Sequence, residues 1–153
     1  MKSTTHKKIA GAVSALPCND DFSVLGTTAA AVQADASNVD IENGTDSAVL
    51  HASLCANTSS AAVAAAQFGN LTVGQYQAQN PGTVAQEQLN GSAIYINAAL
   101  IDPNAYFQNL GVVLHEILHN ITGLTDDAIQ SAFGLPTNQP SNNITQKLIK
   151  DCF

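Results

Sequence analysis

Residues 110–123 read Leu-Gly-Val-Val-Leu-His-Glu-Ile-Leu-His-Asn-Ile-Thr-Gly, and residues 115–119 within them have the pattern His-Glu-x-x-His. On an α-helix, side chains four positions apart lie on one face, with Cβ atoms about 5–6 Å apart. His115 and His119 can therefore bind one metal ion together. Glu116 follows the first of them and is placed to act as a general base on a water at the metal.

The residues around this motif predict a helix that packs against a core. Apolar side chains recur at helical spacing and form a broad stripe, and Gly123 follows as a stop signal. With four His and three Glu in the chain, chance would produce the motif on the order of once in several hundred such chains. The pattern favours a metal site over a surface helix with two solvated His. The stripe consists of Leu110, Val113, Leu114, Ile117, Leu118 and Ile121.

The composition limits the classes of protein to which the chain can belong. A length of 153 residues predicts one domain, large enough to bury close to 70% of its unfolded surface. A net charge of −7, with five Lys and no Arg, excludes the basic face that nucleic-acid binding needs. No stretch approaches the roughly 20 apolar residues of a membrane span. The abundance of Ala, Asn, Thr and Ser favours a secreted or cell-surface protein.

The pattern of apolar and turn residues predicts an α+β fold that is mainly helical, with a small sheet. Residues 1–20 are expected to be a flexible leader and residues 21–153 the folded domain. Residues 93–97, Ala-Ile-Tyr-Ile-Asn, have the highest β-propensity in the chain. Helices are predicted from Asp20 or Asp21 to about Ala34, over Ala61–Gln67, over Val84–Leu89, through the His-Glu-x-x-His motif, from Thr125 or Asp126 to Phe133, and from Asn142 or Asn143 to Cys152.

Three cysteines, Cys18, Cys55 and Cys152, lack the Cys-x-x-Cys spacing of a structural zinc site. Cys18 and Cys152 flank the expected folded region, which predicts a disulfide between them and leaves Cys55 as a free thiol. The alternative is that all three are reduced and buried.

A third metal ligand is required, because catalytic zinc is usually held by three protein ligands and a water. No Glu follows Glu116 and no His follows His119, so the downstream candidates are aspartates. Asp126 lies just past the stop at Gly123, where a turn would fold the chain back over the end of the metal helix. It is the preferred ligand, with Asp127 as the runner-up.

Other roles and ligands remain open at this point. Asp126 could instead serve only as the N-cap of the next helix, since Asp is common there. Upstream, His51 and Glu87 are alternative ligands.

The segment that contains the His-Glu-x-x-His motif resembles the zincin superfamily of metallopeptidases, in which a strand leads to the active-site helix. It is similar to the members with an Asp third ligand, the aspzincins and the snapalysin-like enzymes. The aspzincin pattern Gly-Thr-x-Asp-x-x-Tyr-Gly is matched only in part, because Leu124 intervenes and no Tyr follows Asp126. Snapalysin-like and metzincin chains place the Gly and the third ligand one position earlier. The metzincin Met-turn is absent, since the only Met is Met1.

The C-terminal part of the chain also resembles uncharacterised exported bacterial domains. These domains carry His-Glu-x-Leu-His-Asn-x-Thr-Gly-x-Thr-Asp, which the chain matches from His115 to Asp126, and a tail like residues 146–152. Together the resemblances imply a zincin-like domain that binds Zn²⁺ through His115, His119 and Asp126, with Glu116 as the catalytic residue.

The sequence therefore predicts a zinc-dependent endopeptidase that acts on a peptide or protein substrate. Tyr95 and Tyr106 are candidates for stabilising the oxyanion, and strand 93–97 could pair with an extended substrate. One alternative is a non-catalytic, zinc-stabilised exported domain for adhesion or interaction. Another is a processing or toxin domain of a larger exported protein. Glu116 favours catalysis, because a purely structural site has no use for it.

Overall fold

A computed structural model of the chain describes residues 16–36, 69–71, 73–87, 94–97, 100 and 105–153. Helices account for most of these residues. The helix predicted over 61–67 and the thiol of Cys55 lie outside the described ranges. The described elements are α1 (Leu16–Val24), α2 (Ala29–Ala36), α3 (Val73–Gln79), β1 (Ala85–Glu87), β2 (Ile94–Ile96), α4 (Tyr106–Thr122), α5 (Asp126–Ala132) and α6 (Asn142–Cys152).

The strands are short, so the mainly helical prediction is confirmed and the α+β class describes the fold only loosely. β1 and β2 pair antiparallel, with Gln86 opposite Tyr95. The predicted strand at 93–97 is confirmed as β2. The helix predicted over Val84–Leu89 is wrong, because residues 85–87 form β1. The backbone of this segment bonds to a partner strand, as in the 2.8 Å bond from the Asn97 N–H to the Val84 carbonyl, and such non-local pairing overrides local propensity.

Helix α4 lies at the centre of the fold, as its apolar stripe predicts. Helix α6 packs along it, and α2 and β1 also contact it. The two helices are in close contact at Gly111, since a Cβ there would lie 2.5 Å from Ile149 Cγ1 and 3.1 Å from Thr145 Cγ2. The stop at Gly123 is confirmed: its φ of 67° is left-handed, and its N–H donates to the His119 carbonyl. The stripe residues buried in the core are Leu110, Val113, Leu114, Ile117 and Leu118.

The N-terminal helical region begins earlier than predicted and is divided in two. Residues 16–20, assigned from sequence to the leader, form the first turns of α1. Pro17 is compatible with a first helical turn, where its missing N–H costs nothing. Gly26, with a φ of 74°, ends α1 and separates it from α2, whose first turn is capped by Thr28 through the Ala31 N–H. The single helix predicted to about Ala34 is therefore wrong.

A disulfide between Cys18 and Cys152 joins α1 to the end of α6, as predicted from sequence. Next to it, the Lys147 ammonium lies 2.8 Å from Asp21 Oδ1 and 2.7 Å from Asp151 Oδ2. Burial raises the pKa of Asp21, whereas the hydrogen bond from Lys147 lowers the pKa of Asp151. This covalent and ionic clamp fixes α6 against the start of the described chain.

Among the described residues, no helix combines the length and the apolar character that crossing a bilayer requires.

Removing the disulfide should destabilise the fold strongly. The bond closes a sequence separation of 134 residues, and loss of such a crosslink typically costs about 2–5 kcal/mol. We expect the double variant Cys18→Ser/Cys152→Ser to show this loss in urea denaturation, compared with the wild-type chain in its oxidised form. Peptide mapping under non-reducing conditions should recover the 18–152 crosslink. A bridge that contains Cys55 would contradict this pairing.

Candidate metal centre

Helix α4 places two imidazoles side by side, one turn apart. The Nε2 atoms of His115 and His119 lie 2.9 Å apart, and the ring centroids are separated by 4.7 Å. Both side chains are buried, with 5% and 7% of their surface exposed. The apolar face of α4 anchors the helix in the core, and the two rings meet at its C-terminal half.

The turn after α4 brings Asp126 to the same point. Gly123 reverses the chain direction, and Thr125 then caps α5 by accepting the Ala128 N–H at 3.3 Å. Asp126 is the first residue of α5, and its Oδ1 lies 2.9 Å from His115 Nε2 and 3.0 Å from His119 Nε2. Thr125, not Asp126, is therefore the N-cap. The three groups preferred from sequence as ligands are together within the described part of the chain.

The alternative ligands are placed differently or lie outside the described structure. The Asp127 carboxylate accepts the backbone N–H of Asn138 at 3.1 Å, which orients it toward the loop after α5. His51 is outside the described residues. The backbone of Glu87 belongs to β1, but its side chain is not among the described ones. Of the two aspartates, only Asp126 contacts the histidine pair.

The outer nitrogen of each imidazole has its own partner. His119 Nδ1 lies 2.5 Å from the Leu124 carbonyl. A carbonyl can only accept, so Nδ1 carries a proton, and Nε2 is the nitrogen that faces the cluster. His115 Nδ1 lies 3.1 Å from the Thr145 hydroxyl on α6. Sequence reasoning did not find Thr145, because no local pattern connects it to a helix 30 residues earlier.

Burial and hydrogen bonding set the protonation of the site. The hydrogen bonds with His115 and His119 hold the pKa of the Asp126 carboxyl well below its usual range. Burial lowers the pKa of His115. Burial also lowers that of His119, but its bonds to Asp126 and to the Leu124 carbonyl outweigh this effect, and the net pKa is raised. Asp126 is thus ionised and His115 neutral near neutral pH, and a cation that binds His119 Nε2 competes with a proton whose binding these contacts favour.

The donor set fits a zinc ion. Two imidazole nitrogens and one carboxylate oxygen are typical catalytic zinc ligands, with bonds of about 2.0–2.2 Å. Donors on a tetrahedral ion with such bonds are roughly 3.3 Å apart, and these three need to separate by only a few tenths of an ångström. The side chain of Asp126 is 48% exposed, so one side of the cluster is open to solvent.

Two cavities of about 330 Å³ each adjoin the cluster. Both are bordered by His115, Glu116, Thr83, Ala85 and Ser141, and the first also reaches His119 and Asp126. The second extends along α4 and the start of α6. The site is therefore a cleft between α4, segment 82–86 and the N-terminus of α6. Additional residues of the second cavity are Gly82, Val84, Gln108, Val112, Asn142 and Thr145.

Glu116 is buried at 6% exposure and borders both cavities, but it is not a member of the three-residue cluster. Tyr95 is also buried, with its ring packed edge-on against Tyr76 at 4.6 Å between centroids, and it does not border either cavity. The side chain of Tyr106 lies outside the described residues. Strand β1, which sequence reasoning missed, lines the cleft. The described side chains of β2 do not border it.

No family model, curated protein or solved structure matches the chain. The candidate site is therefore identified from the geometry of its residues alone.

Exchanging Asp126 for its isosteric amide should disrupt metal binding. Asp126→Asn removes the only anionic donor of the cluster, so zinc affinity should fall by more than the ~10–100-fold that loss of an outer-sphere partner costs. Asp127→Asn is the matched control, one residue away and turned toward Asn138, and should leave affinity unchanged. Competition with a chromophoric chelator measures both. An equal loss of zinc affinity in the two variants would contradict the assignment of Asp126 as a metal ligand.

Proposed function

We propose that the chain is a zinc-dependent endopeptidase, with His115, His119 and Asp126 as metal ligands and Glu116 as the general base. One observation carries the proposal. Two buried imidazoles and a carboxylate converge within hydrogen-bonding distance of each other, and they do so in the wall of an open cleft that Glu116 also borders.

The ligand chemistry supports zinc over the hard cations. Ca²⁺ and Mg²⁺ prefer six or more oxygen donors, whereas imidazole nitrogen with a single carboxylate suits zinc. Only three ligating groups cluster in the described part of the chain. A structural zinc site has four protein ligands, whereas a catalytic site keeps one position open. The three donors of the described cluster match the number of protein ligands in a catalytic zinc site.

The metal ligands and Glu116 would have separate roles in peptide hydrolysis. When bound, zinc lowers the pKa of a water toward about 7 and polarises a substrate carbonyl. The Glu116 carboxylate would accept the proton of that water as its oxygen attacks the scissile carbonyl. It would then deliver the proton to the departing amide nitrogen. Because Glu116 is on the same helix as the two imidazoles and borders both cavities, its carboxylate lies within the cleft that the metal would face.

The walls of the cleft suit an extended peptide. Apart from Glu116 and the three candidate ligands, the described residues that border the cavities are uncharged. Segment 82–86 runs along one side and contains the start of β1. A strand beside a cleft offers backbone groups to a substrate main chain, which gives affinity without selecting for charge. We therefore propose that backbone recognition dominates binding.

An extracytoplasmic location is part of the proposal. The Cys18–Cys152 disulfide joins distant parts of the chain, and such crosslinks persist mainly in oxidising compartments. The composition that favours export is consistent with this location.

Replacing Glu116 by Gln should separate catalysis from metal binding. The amide keeps the shape of the side chain but cannot accept the proton, and loss of a general base typically costs 10²–10⁴ in rate. Zinc content should remain at the wild-type level, because Glu116 is not a ligand. The measurement is cleavage of unfolded casein, followed by mass spectrometry, with Asp127→Asn as the control that retains activity.

Three results would each count against the peptidase. Cleavage that survives both Glu116→Gln and a chelator would show that the activity does not come from this site. Loss of zinc in Glu116→Gln would make Glu116 a ligand. Zinc-loaded protein that cleaves neither casein nor a diverse peptide library would favour the non-catalytic, zinc-stabilised domain.

A further inference from the structure

The partner of His115 Nδ1 differs in kind from the partner of His119 Nδ1. His119 faces the carbonyl of Leu124, which lies five residues away on the turn that follows α4. His115 faces the hydroxyl of Thr145, 3.1 Å away on α6. Thr145 is 3% exposed and His115 is 5% exposed, so the contact is between two largely buried groups.

Metal binding requires one particular tautomer of His115. If Nε2 binds a cation through its lone pair, Nδ1 must carry the proton, and a buried N–H needs an acceptor. The hydroxyl of Thr145 can accept this proton with one of its lone pairs. Without such an acceptor, the metal-bound state would contain an unpaired buried donor.

Without a metal, the opposite tautomer fits the contacts. His115 Nε2 lies 2.9 Å from Asp126 Oδ1, and a carboxylate can only accept, so Nε2 carries the proton. Nδ1 then becomes an acceptor, and the hydroxyl of Thr145 can donate to it. A hydroxyl serves both tautomers because it is donor and acceptor, whereas a carbonyl like that of Leu124 would serve only one.

We propose that Thr145 is a positioning residue of the metal centre, which orients the His115 ring and satisfies Nδ1 in both the metal-free and the metal-bound state. This inference rests on the metal site of the proposed function and is independent of peptide hydrolysis. In this proposal α6 does more than pack against α4, because its residue Thr145 is the outer-sphere partner of a metal ligand.

The two halves of the Thr145 side chain allow a matched test. Its Cγ2 methyl packs at the close approach of α4 and α6, 3.1 Å from where a Cβ on Gly111 would lie. Thr145→Val keeps this methyl and removes the hydroxyl, whereas Thr145→Ser keeps the hydroxyl and removes the methyl. A role in metal positioning predicts that Val is the damaging change, and a packing role predicts that Ser is.

The experiment measures zinc affinity by chelator competition and metal-free stability by urea denaturation for the full chain. We expect Thr145→Val to bind zinc about 10–100-fold more weakly, the usual cost of losing an outer-sphere partner. Thr145→Ser should bind zinc like wild type even if its metal-free form is less stable. Wild-type affinity in Thr145→Val, or equal losses in both variants, would overturn the proposal.

A second measurement covers the case in which Thr145→Val fails to fold. In zinc-loaded wild-type protein, ¹⁵N NMR of the imidazoles should show His115 protonated at Nδ1 and metal-bound at Nε2. Zinc bound through Nδ1 would overturn the role of Thr145 while leaving a zinc site in place. A wild-type chain that binds no zinc would overturn the proposed metal site and this inference together.

Discussion

Burial of two imidazoles on one helix is the constraint on which the site depends. His115 and His119 lie on α4, whose apolar stripe is packed into the core, so their ring nitrogens have little access to water. Buried polar groups need partners, and these come from three different places. Leu124 on the following turn and Thr145 on α6 bind the two Nδ1 atoms, while Asp126 on α5 binds both Nε2 atoms.

In this arrangement, the candidate metal centre is formed by contacts between several elements of the C-terminal half of the fold. The left-handed turn at Gly123 is needed because it brings Leu124 and Asp126 back to the helix they follow. Helix α6 must lie close against α4 for the hydroxyl of Thr145 to reach His115, and Gly111 permits that approach. The disulfide at Cys152 and the ion pairs of Lys147 then hold the far end of α6. Stability and site geometry thus share the same contacts.

Much of the C-terminal half could be predicted from sequence because its signals are local. The stripe from Leu110 to Leu118 has helical period, Gly123 is a strong stop, and the limits of α5 and α6 follow from caps and apolar spacing. The absence of any Glu or His after the motif indicates an aspartate as the third ligand, and the turn at Gly123 favours Asp126. The covalent link between Cys18 and Cys152 followed from their positions at the two ends of the expected domain.

The elements that sequence reasoning missed depend on distant partners. β1 has little strand propensity of its own and forms by pairing with β2, so a local reading favoured a helix over residues 84–89. The break between α1 and α2 at Gly26 was not predicted, because the apolar, Ala-rich sequence around it favours one continuous helix. Thr145 has no motif, and its role exists only because α6 packs beside His115. The lining of the cleft by segment 82–86 likewise arises from packing of β1 against α4.

The most direct test of the proposed metal centre is anomalous X-ray diffraction at the zinc edge from crystals grown with saturating zinc. The geometry predicts a single strong peak per chain, bonded to His115 Nε2, His119 Nε2 and a carboxylate oxygen of Asp126, and open on the side of the cleft. A peak at any other group of residues, or no ordered peak at saturating zinc, would contradict the assignment.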